Sequence, residues 1–530
     1  MPRTTTPRMS RAKALAASLS ITLGAALAAC GPSGPYRTPE PRPSSPVVQD
    51  SAPGGRISTT STDIRVTLLQ INDLYEITPV GGGAWGGPAR VATLLRRLEA
   101  WNPNTRAVIA GDFFSPSALG TARVDGERLA GRQMVAVLNA MGLDHATFGN
   151  HEFDIGREAF LARLEESEFS WFSSNVTDAS GAAFPGTHGV QVLHFTGTAG
   201  DTLRLALIGV TKPDMAPEWV RVSDPVAAVR EAVDAMGDSV QAIVAITHLD
   251  LEDDIALAEA VPELDLIMGG HEHENILARR GPDLTPIAKA DANVRTVYVH
   301  DLRWDPSMQR LEVDSRLMPI TPDLPDDPET DAEVGRWLDR GWAGFREAGF
   351  EPEAVIVTVP ETLDGREAVV RNRSTTLTDL IVEGMRAEVD GPAVALLNAG
   401  SIRIDDQIAP GPLTQYDVIR ILPFGGAVVE VEMSTALLAE VLAQGRANVG
   451  SGGMLHGNAE MASEGLRVEG RVLDADAPVR ALVPEFLLTG LETGLDYFTP
   501  DHPELTVIAE HRDIRQTLID ALERRWGSRP

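Results

Sequence analysis

Apolar and polar positions follow a regular alternation of patterns from residue 64 onward. IRVTLLQI (64–71) is a near-continuous apolar run of strand length that ends in Asn72-Asp73. GGPARVATLLRRLEAW repeats its apolar residues every three or four positions, which predicts a helix with one buried face. The two patterns then take turns. RAVIAGD reads as a strand, ERLAGRQMVAVLNAMG as a helix, HATFGN as a short strand end and LRLALIGV as a strand. DPVAAVREAVDAMG reads as a helix, and QAIVAITH and LDLIMGGH as strands. Strands alternating with helices predict an α/β sheet layered with helices. VRTVYVHDLRWD and RLEVDSRLM look instead like antiparallel β-structure.

Residues 322–352 combine prolines and acids with a helical pattern, which predicts a linker followed by a bridging helix. A second α/β region, 353–530, carries strands at AVIVTV, AVALLNAG and AVVEVEM and helices at TTLTDLIVEGMRAEV and STALLAEVLAQGRA. There is no internal repeat. The first α/β region accordingly spans 64–321, and at 530 residues the chain is too long for a single core.

The N-terminus breaks this pattern. Arg3, Arg8, Arg11 and Lys13 precede LAASLSITLGAALAA, an apolar core too short for a membrane span, and the segment ends LAAC. Small residues before Cys30, the only cysteine, resemble a bacterial lipoprotein signal. The resemblance implies a signal peptide over 1–29, lipid on Cys30 and an extracytoplasmic, periplasm-facing protein held at a bacterial membrane. Residues 30–63 are rich in proline, serine and glycine with no apolar period, as in an extended tether. The formal net charge is −30, which disfavours nucleic-acid polymers and anionic lipid as general partners. A small phosphate ester, held by local cations or metals, is not excluded.

The chemistry lies where the strands end. Asp73 follows VTLLQIN, Asp112 follows AVIAG, Asn150-His151 follow ATFG, His248 follows AIVAIT, and His271 and His273 follow LDLIMGG. In open α/β sheets that edge is where ligands bind. One such histidine is more often structural, but five coincident strand ends point to one site. Carboxylate, amide and imidazole together suit Zn, Mn or Fe, and the residues are too many for one ion. Two divalent ions sharing a carboxylate suit an in-line displacement at phosphorus.

In this order ND, GD, GNHEFD, TH and GGHEH look like the calcineurin-like metallophosphoesterase signature. With NRSTTLTDLI, NAGSIR and LPFGG further on, the chain resembles the 5′-nucleotidase family over most of 64 to about 500. The resemblance implies a four-layer α/β/β/α metallophosphoesterase domain followed by a C-terminal α/β substrate-binding domain. It implies hydrolysis of nucleotides, or of nucleotide sugars or cyclic nucleotides, by metal-activated water, with a small-molecule nucleotide as partner. Asp112 would bridge the ions, Asp73 and His273 would hold one, and Asn150, His248 and His271 the other. His151 would stay off the metal and act on the phosphoryl group, oriented by Asp154. Arg371, Arg373, Asn398 and Arg403 would contact polar groups of the substrate, since guanidinium forks suit such oxygens. Phe424, and Phe486 as the second candidate, would sandwich the base. Where the family runs through GGDG this chain reads FLLTGLETGLDYF, and Asp496 is the candidate for the ribose-binding aspartate. GGGAWGG (81–87) lacks the GK[ST] of a P-loop and reads as a loop before the first helix, beside the metal site.

One position departs from the family. Family members commonly read Asp-x-His where this chain has Asp73-Leu74-Tyr75. Three readings stand. Tyr75 binds iron as phenolate; Glu76 supplies the missing carboxylate, if the chain turns there; or the first site is weaker, with water in the vacancy. We favour the last two. A lipid-tethered solute-binding protein and a degenerate, metal-poor relative are the alternatives to a phosphoesterase.

Overall fold

The structure is a computed structural model. It describes residues 63–197, 200–213, 216–462, 465–468, 471–472 and 478–527. The expected signal peptide, Cys30 and nearly all of the tether lie outside the described residues. No helix among the described residues is long and apolar enough to cross a membrane.

Two sheets form the N-terminal half. The first has seven strands, in the order Arg310–Pro319, Thr296–Asp305, Ile64–Ile71, Thr105–Ala110, His145–Thr147, Ser170–Phe172 and Thr187–His188. The second has six, in the order Ile276–Arg280, Thr285–Lys289, Leu266–Gly269, Ala242–His248, Thr202–Thr211 and Val190–Thr196. The side-chain period of two in strand Ile64–Ile71 explains the layering. Ile64, Val66 and Leu68 pack with Leu205, Leu207, Val244 and Ile246 of the second sheet. Leu69 and Ile71 face the other way, against helices Pro88–Trp101 and Arg132–Met141. The outer face of the second sheet is covered by helices Pro225–Met236 and Leu251–Ala260. The result is four layers, α/β/β/α. Thr296–Asp305 and Arg310–Pro319 pair antiparallel at one edge. Gln70, buried between the sheets, ties them by donating to the carbonyls of Gly269 and Ala288.

The centre of each sheet is parallel, so its ligand-bearing strands end on one edge. Ile64–Ile71, Thr105–Ala110 and His145–Thr147 run together in one sheet, and Thr202–Thr211, Ala242–His248 and Leu266–Gly269 in the other. The helix expected from Glu127 begins only at Arg132. Residues before it form a small hairpin, Arg123–Val124 with Glu127–Arg128, and Gly131 turns the chain at φ 81. Helix Pro328–Glu347 is started by Asp327, which accepts from the Thr330 N–H, and buries Val334, Trp337 and Phe345.

The C-terminal half is built on a five-stranded sheet in the order Leu455–Gly457, Val394–Asn398, Pro478–Pro484, Ala427–Ser434 and Leu505–Asp513. Helices Thr376–Arg386 and Ile514–Trp526 join the same apolar core as the outer face of the first N-terminal sheet. Helix Thr435–Ala447 packs on the sheet's other face.

Candidate active site

His248 is the last residue of its parallel strand, and the other candidate ligands lie just beyond the ends of theirs. Asp73, Asp112, His271 and His273 all adopt left-handed backbone conformations, with φ of 50, 58, 88 and 59°. Such conformations are costly for residues with a Cβ and gather where function demands them. The loops can meet because glycines precede the ligands. A Cβ on Gly149 would lie 2.0 Å from Asp112 Oδ1, and one on Gly111 would lie 2.3 Å from the Gly149 nitrogen.

Glu152 holds two of these loops in register. Its buried carboxylate accepts N–H bonds from Asp112, Phe113, Phe114 and Gly149. Burial and the charge of Asp112 push its carboxyl up to about 7, against the pull of those donors.

The ligand atoms of Asp73, Asp112 and His248 lie within 4.8 Å of one another. His248 Nδ1 donates to the Ala110 carbonyl at 2.8 Å, which leaves Nε2 facing Asp112 Oδ2 at 3.1 Å. His273 Nε2 is 3.6 Å from Asp73 Oδ1. His248 is fully buried and His273 largely so, which lowers their proton affinity, yet the carboxylates outweigh burial. Asp112 and Asp73 raise His248 to about 10, and the Asp405 hydrogen bond with the charge of Asp73 raises His273 to about 9. The acids thus draw positive charge onto any group among them. Asn150 Oδ1 is buried with no hydrogen-bond partner, beside His151, whose N–H donates to Asp112 Oδ1 at 2.9 Å. A hard-oxygen and imidazole donor set with an orphaned amide oxygen fits divalent cations.

His271 is oriented differently. Its N–H donates to Asp73 Oδ2 at 2.9 Å, and its ring lies 5.3 Å from that of His248. Its Nε2 is turned to Lys212 and Asp250, each at 3.0 Å. His151 Nδ1 lies 2.7 Å from Asp154 Oδ2.

The Asp73–Glu76 segment resolves into two directions. The Tyr75 hydroxyl points into the cluster, 2.9 Å from His273 Nε2, 3.2 Å from Asp112 Oδ2 and 3.3 Å from Asp73 Oδ1. Burial, Asp112 and Asp73 hold the phenol well above its ordinary pKa, so it stands there as a neutral donor. Glu76 turns away, 3.3 Å from Arg420 Nε. The expectation that Glu76 adds a carboxylate to the cluster is therefore corrected. The left-handed turn at Asp73, held where Asn293 Oδ1 accepts both the Tyr75 and Glu76 N–H groups, sends the two side chains apart.

Of the substrate-side candidates, Arg371 and Arg403 converge on one carboxylate. Glu367 pairs with Arg371 at 2.6 Å and with Arg403 at 3.3 Å. The Arg403 guanidinium lies 5.8 Å from the Phe424 ring centre. Phe424 and Phe486 are 50% and 44% exposed, and they flank the paired ends Val428 and Pro484 of neighbouring strands. Arg373 is exposed and is not brought to this group. Asp496 is exposed as well; the acid that reaches Asn398 is Glu492, accepting from Asn398 Nδ2 at 2.8 Å. After the turn at Gly490, φ 71, the chain doubles back and buries Glu492. The spacing of FLLTGLE, an acid six residues after the phenylalanine, was the available signal. A cavity of about 600 Å³ opens beside Asp154 and Phe424, with Ser115, Ser117 and Arg123 among its walls.

Two family models match, together covering more than half of the chain. Calcineurin-like phosphoesterase matches residues 66–275, and 5′-nucleotidase, C-terminal domain, matches residues 355–486. The chain belongs to the 5′-nucleotidase family. A 5′-nucleotidase of Vibrio cholerae is 26% identical over 423 residues, 69% of this chain and 74% of that protein. The trifunctional nucleotide phosphoesterase protein YfkN of Bacillus subtilis is 26% identical over 410 residues, 69% of this chain but only 27% of that much longer protein. The structure of a 5′-nucleotidase precursor from Thermus thermophilus superposes with a TM-score of 0.70 at 21% identity, covering 87% of this chain and 97% of that one. Within this 5′-nucleotidase fold, the N-terminal domain carries the acid and imidazole cluster. The C-terminal domain presents Arg371, Arg403 and Phe424.

Proposed function

We propose that this 5′-nucleotidase relative is a dinuclear-metal phosphoesterase that removes phosphate from extracytoplasmic nucleotides. The observation that carries the reading is the buried cluster of Asp73, Asp112 and His248 with partly buried His273 beside it, and the His151–Asp154 pair after a neighbouring strand. Asp73 and His273 would hold one ion, Asn150, His248 and His271 the other, and Asp112 both. When bound, the ions would supply Lewis-acid neutralisation of the phosphoryl oxygens and lower the pKa of water.

The chain's own residues do the rest. Asp154 accepts a hydrogen bond from His151 Nδ1–H and so fixes the tautomer, leaving Nε2 to meet the phosphoryl group or the departing oxygen. Arg371 and Arg403 exchange Glu367 for substrate oxygens, a charge-for-charge replacement that spares either guanidinium from being stranded. Phe424 offers a face for the base. Lipid attachment at Cys30 would keep the enzyme at a membrane surface.

The test is phosphate release from a panel of nucleoside monophosphates and nucleotide sugars by protein loaded with Zn²⁺, Mn²⁺ or Fe. No release from any of them overturns the proposal. Phe424→Ala should raise KM for nucleotides by roughly fivefold to a hundredfold, the worth of one stacked base. It should leave glycerol phosphate, which has no ring to stack, unaffected.

A further inference from the structure

His273 reaches toward the cluster with one ring nitrogen and is held by the other domain with the second. Its Nδ1 lies 2.9 Å from Asp405 Oδ2, and Asp405 belongs to the C-terminal domain, just after NAGSIR. A carboxylate can only accept, so Nδ1 keeps its proton toward Asp405, and Nε2 on the Asp73 side is the nitrogen that would give up its proton to meet a cation. Asp405 is itself tightly held. Its Oδ1 accepts the Glu367 N–H at 2.8 Å, and its carbonyl accepts from Arg295 Nη2 at 2.7 Å. Its backbone sits at φ 39, a left-handed conformation sustained by these contacts. Next to it Asp406 accepts the Gly81 N–H at 2.9 Å and pairs with Arg295 at 3.3 Å. The seam between the domains therefore delivers one particular carboxylate to one particular imidazole.

We propose that Asp405 is a positioning residue for His273, so that the site of the first ion is completed by a side chain borrowed from the C-terminal domain. The same carboxylate anchors the backbone of Glu367, whose side chain pairs with both Arg371 and Arg403. Asp405 thus joins the metal half of the site to the substrate half. A partner of this kind sets the tautomer, ring orientation and basicity of a ligating histidine.

The inference rests on His273 being a metal ligand, as proposed above, and it is tested without turnover. Mn²⁺ and Zn²⁺ binding is measured by calorimetry and chelator competition on the full chain and on Asp405→Ala, Asp405→Asn and Asp406→Ala. Asp405→Ala should weaken one of the two ions by roughly tenfold to a hundredfold and leave the other unchanged. Asp406→Ala, which loosens the seam without touching His273, should leave both affinities unchanged. Asp405→Asn keeps the size and one acceptor, so it should lie between; it also decides the matter if the alanine variant does not fold. Unchanged affinities in the Asp405 variants, or equal weakening by Asp405→Ala and Asp406→Ala, would overturn the proposal in favour of a plain interface contact. A protein that binds both ions yet releases no phosphate would sink the hydrolase reading alone.

Discussion

Glu152→Gln is the sharpest test of how the site is held together. The substitution keeps the size of the side chain and replaces one acceptor oxygen by an NH₂ group. One oxygen of Glu152 serves the Phe113 and Phe114 N–H groups and the other serves Asp112 and Gly149. Whichever end the amide takes, two backbone donors face another donor. A hydrogen bond to a charged acceptor is worth about 1.5–3 kcal/mol, so two lost bonds amount to about 3–6 kcal/mol. Glu152 is fully buried and water cannot substitute. Local opening of the 111–114 and 149–152 loops should become easier by about two to four powers of ten. Amide hydrogen exchange at Asp112, Phe113, Phe114 and Gly149, measured at about pH 8 where the native carboxyl is ionised, reads this directly. Turnover should fall in parallel, because Asp112 and Asn150 ride on the same loops and small displacements of reacting groups are costly. Native exchange rates at these four amides in the variant would refute the claim that Glu152 organises the site.

Three further outcomes follow from particular contacts. Asp154→Asn should lower kcat about a hundredfold or more with little change in KM, since it disturbs the tautomer of His151 and no binding contact; a rise in KM alone would contradict that role. Asp73→Asn should abolish binding of the first ion and activity while Tyr75→Phe keeps much of both, and equal loss from the two would mean that the phenol oxygen itself is required. His145 and His300 are held neutral by burial, lowered from 6.5 to about 4 and about 3. Their folded pKa values are depressed, so the unfolded chain binds more protons, and stability present above pH 6.5 should fall as pH drops toward 4 and then 3. His145→Leu, at a ring with no hydrogen-bond partner, should flatten that slope by one proton, and an unchanged slope in a denaturation series would count against it.

Much of the framework was legible because the hydrophobic period carries it. An apolar strand that ends in Asp, Asn or His announces both the sheet and the edge where such residues gather, and the structure brings Asp73, Asp112 and His248 together there. Helices Arg157–Glu166 and Leu251–Ala260 escaped notice because their apolar residues do not fall on one narrow stripe. In the second, Asp254 is itself buried, paired with Lys289 at 2.9 Å, a core acid that periodicity reads as surface.

By itself the sequence determined the order of most of the elements, the α/β character of both halves and the strand ends that bring Asp73, Asp112 and His248 together. These depend on local pattern, and on parallel strands that must finish on one edge. Only the tertiary structure decided where individual side chains point. Tyr75 enters the cluster and Glu76 leaves it because one residue, Asp73, turns left-handed. Glu492 rather than Asp496 meets Asn398 because a chain reversal hides one acid and exposes the other. Asp405 meets His273 across 132 residues of chain, and no local period records a contact made by two domains closing on each other.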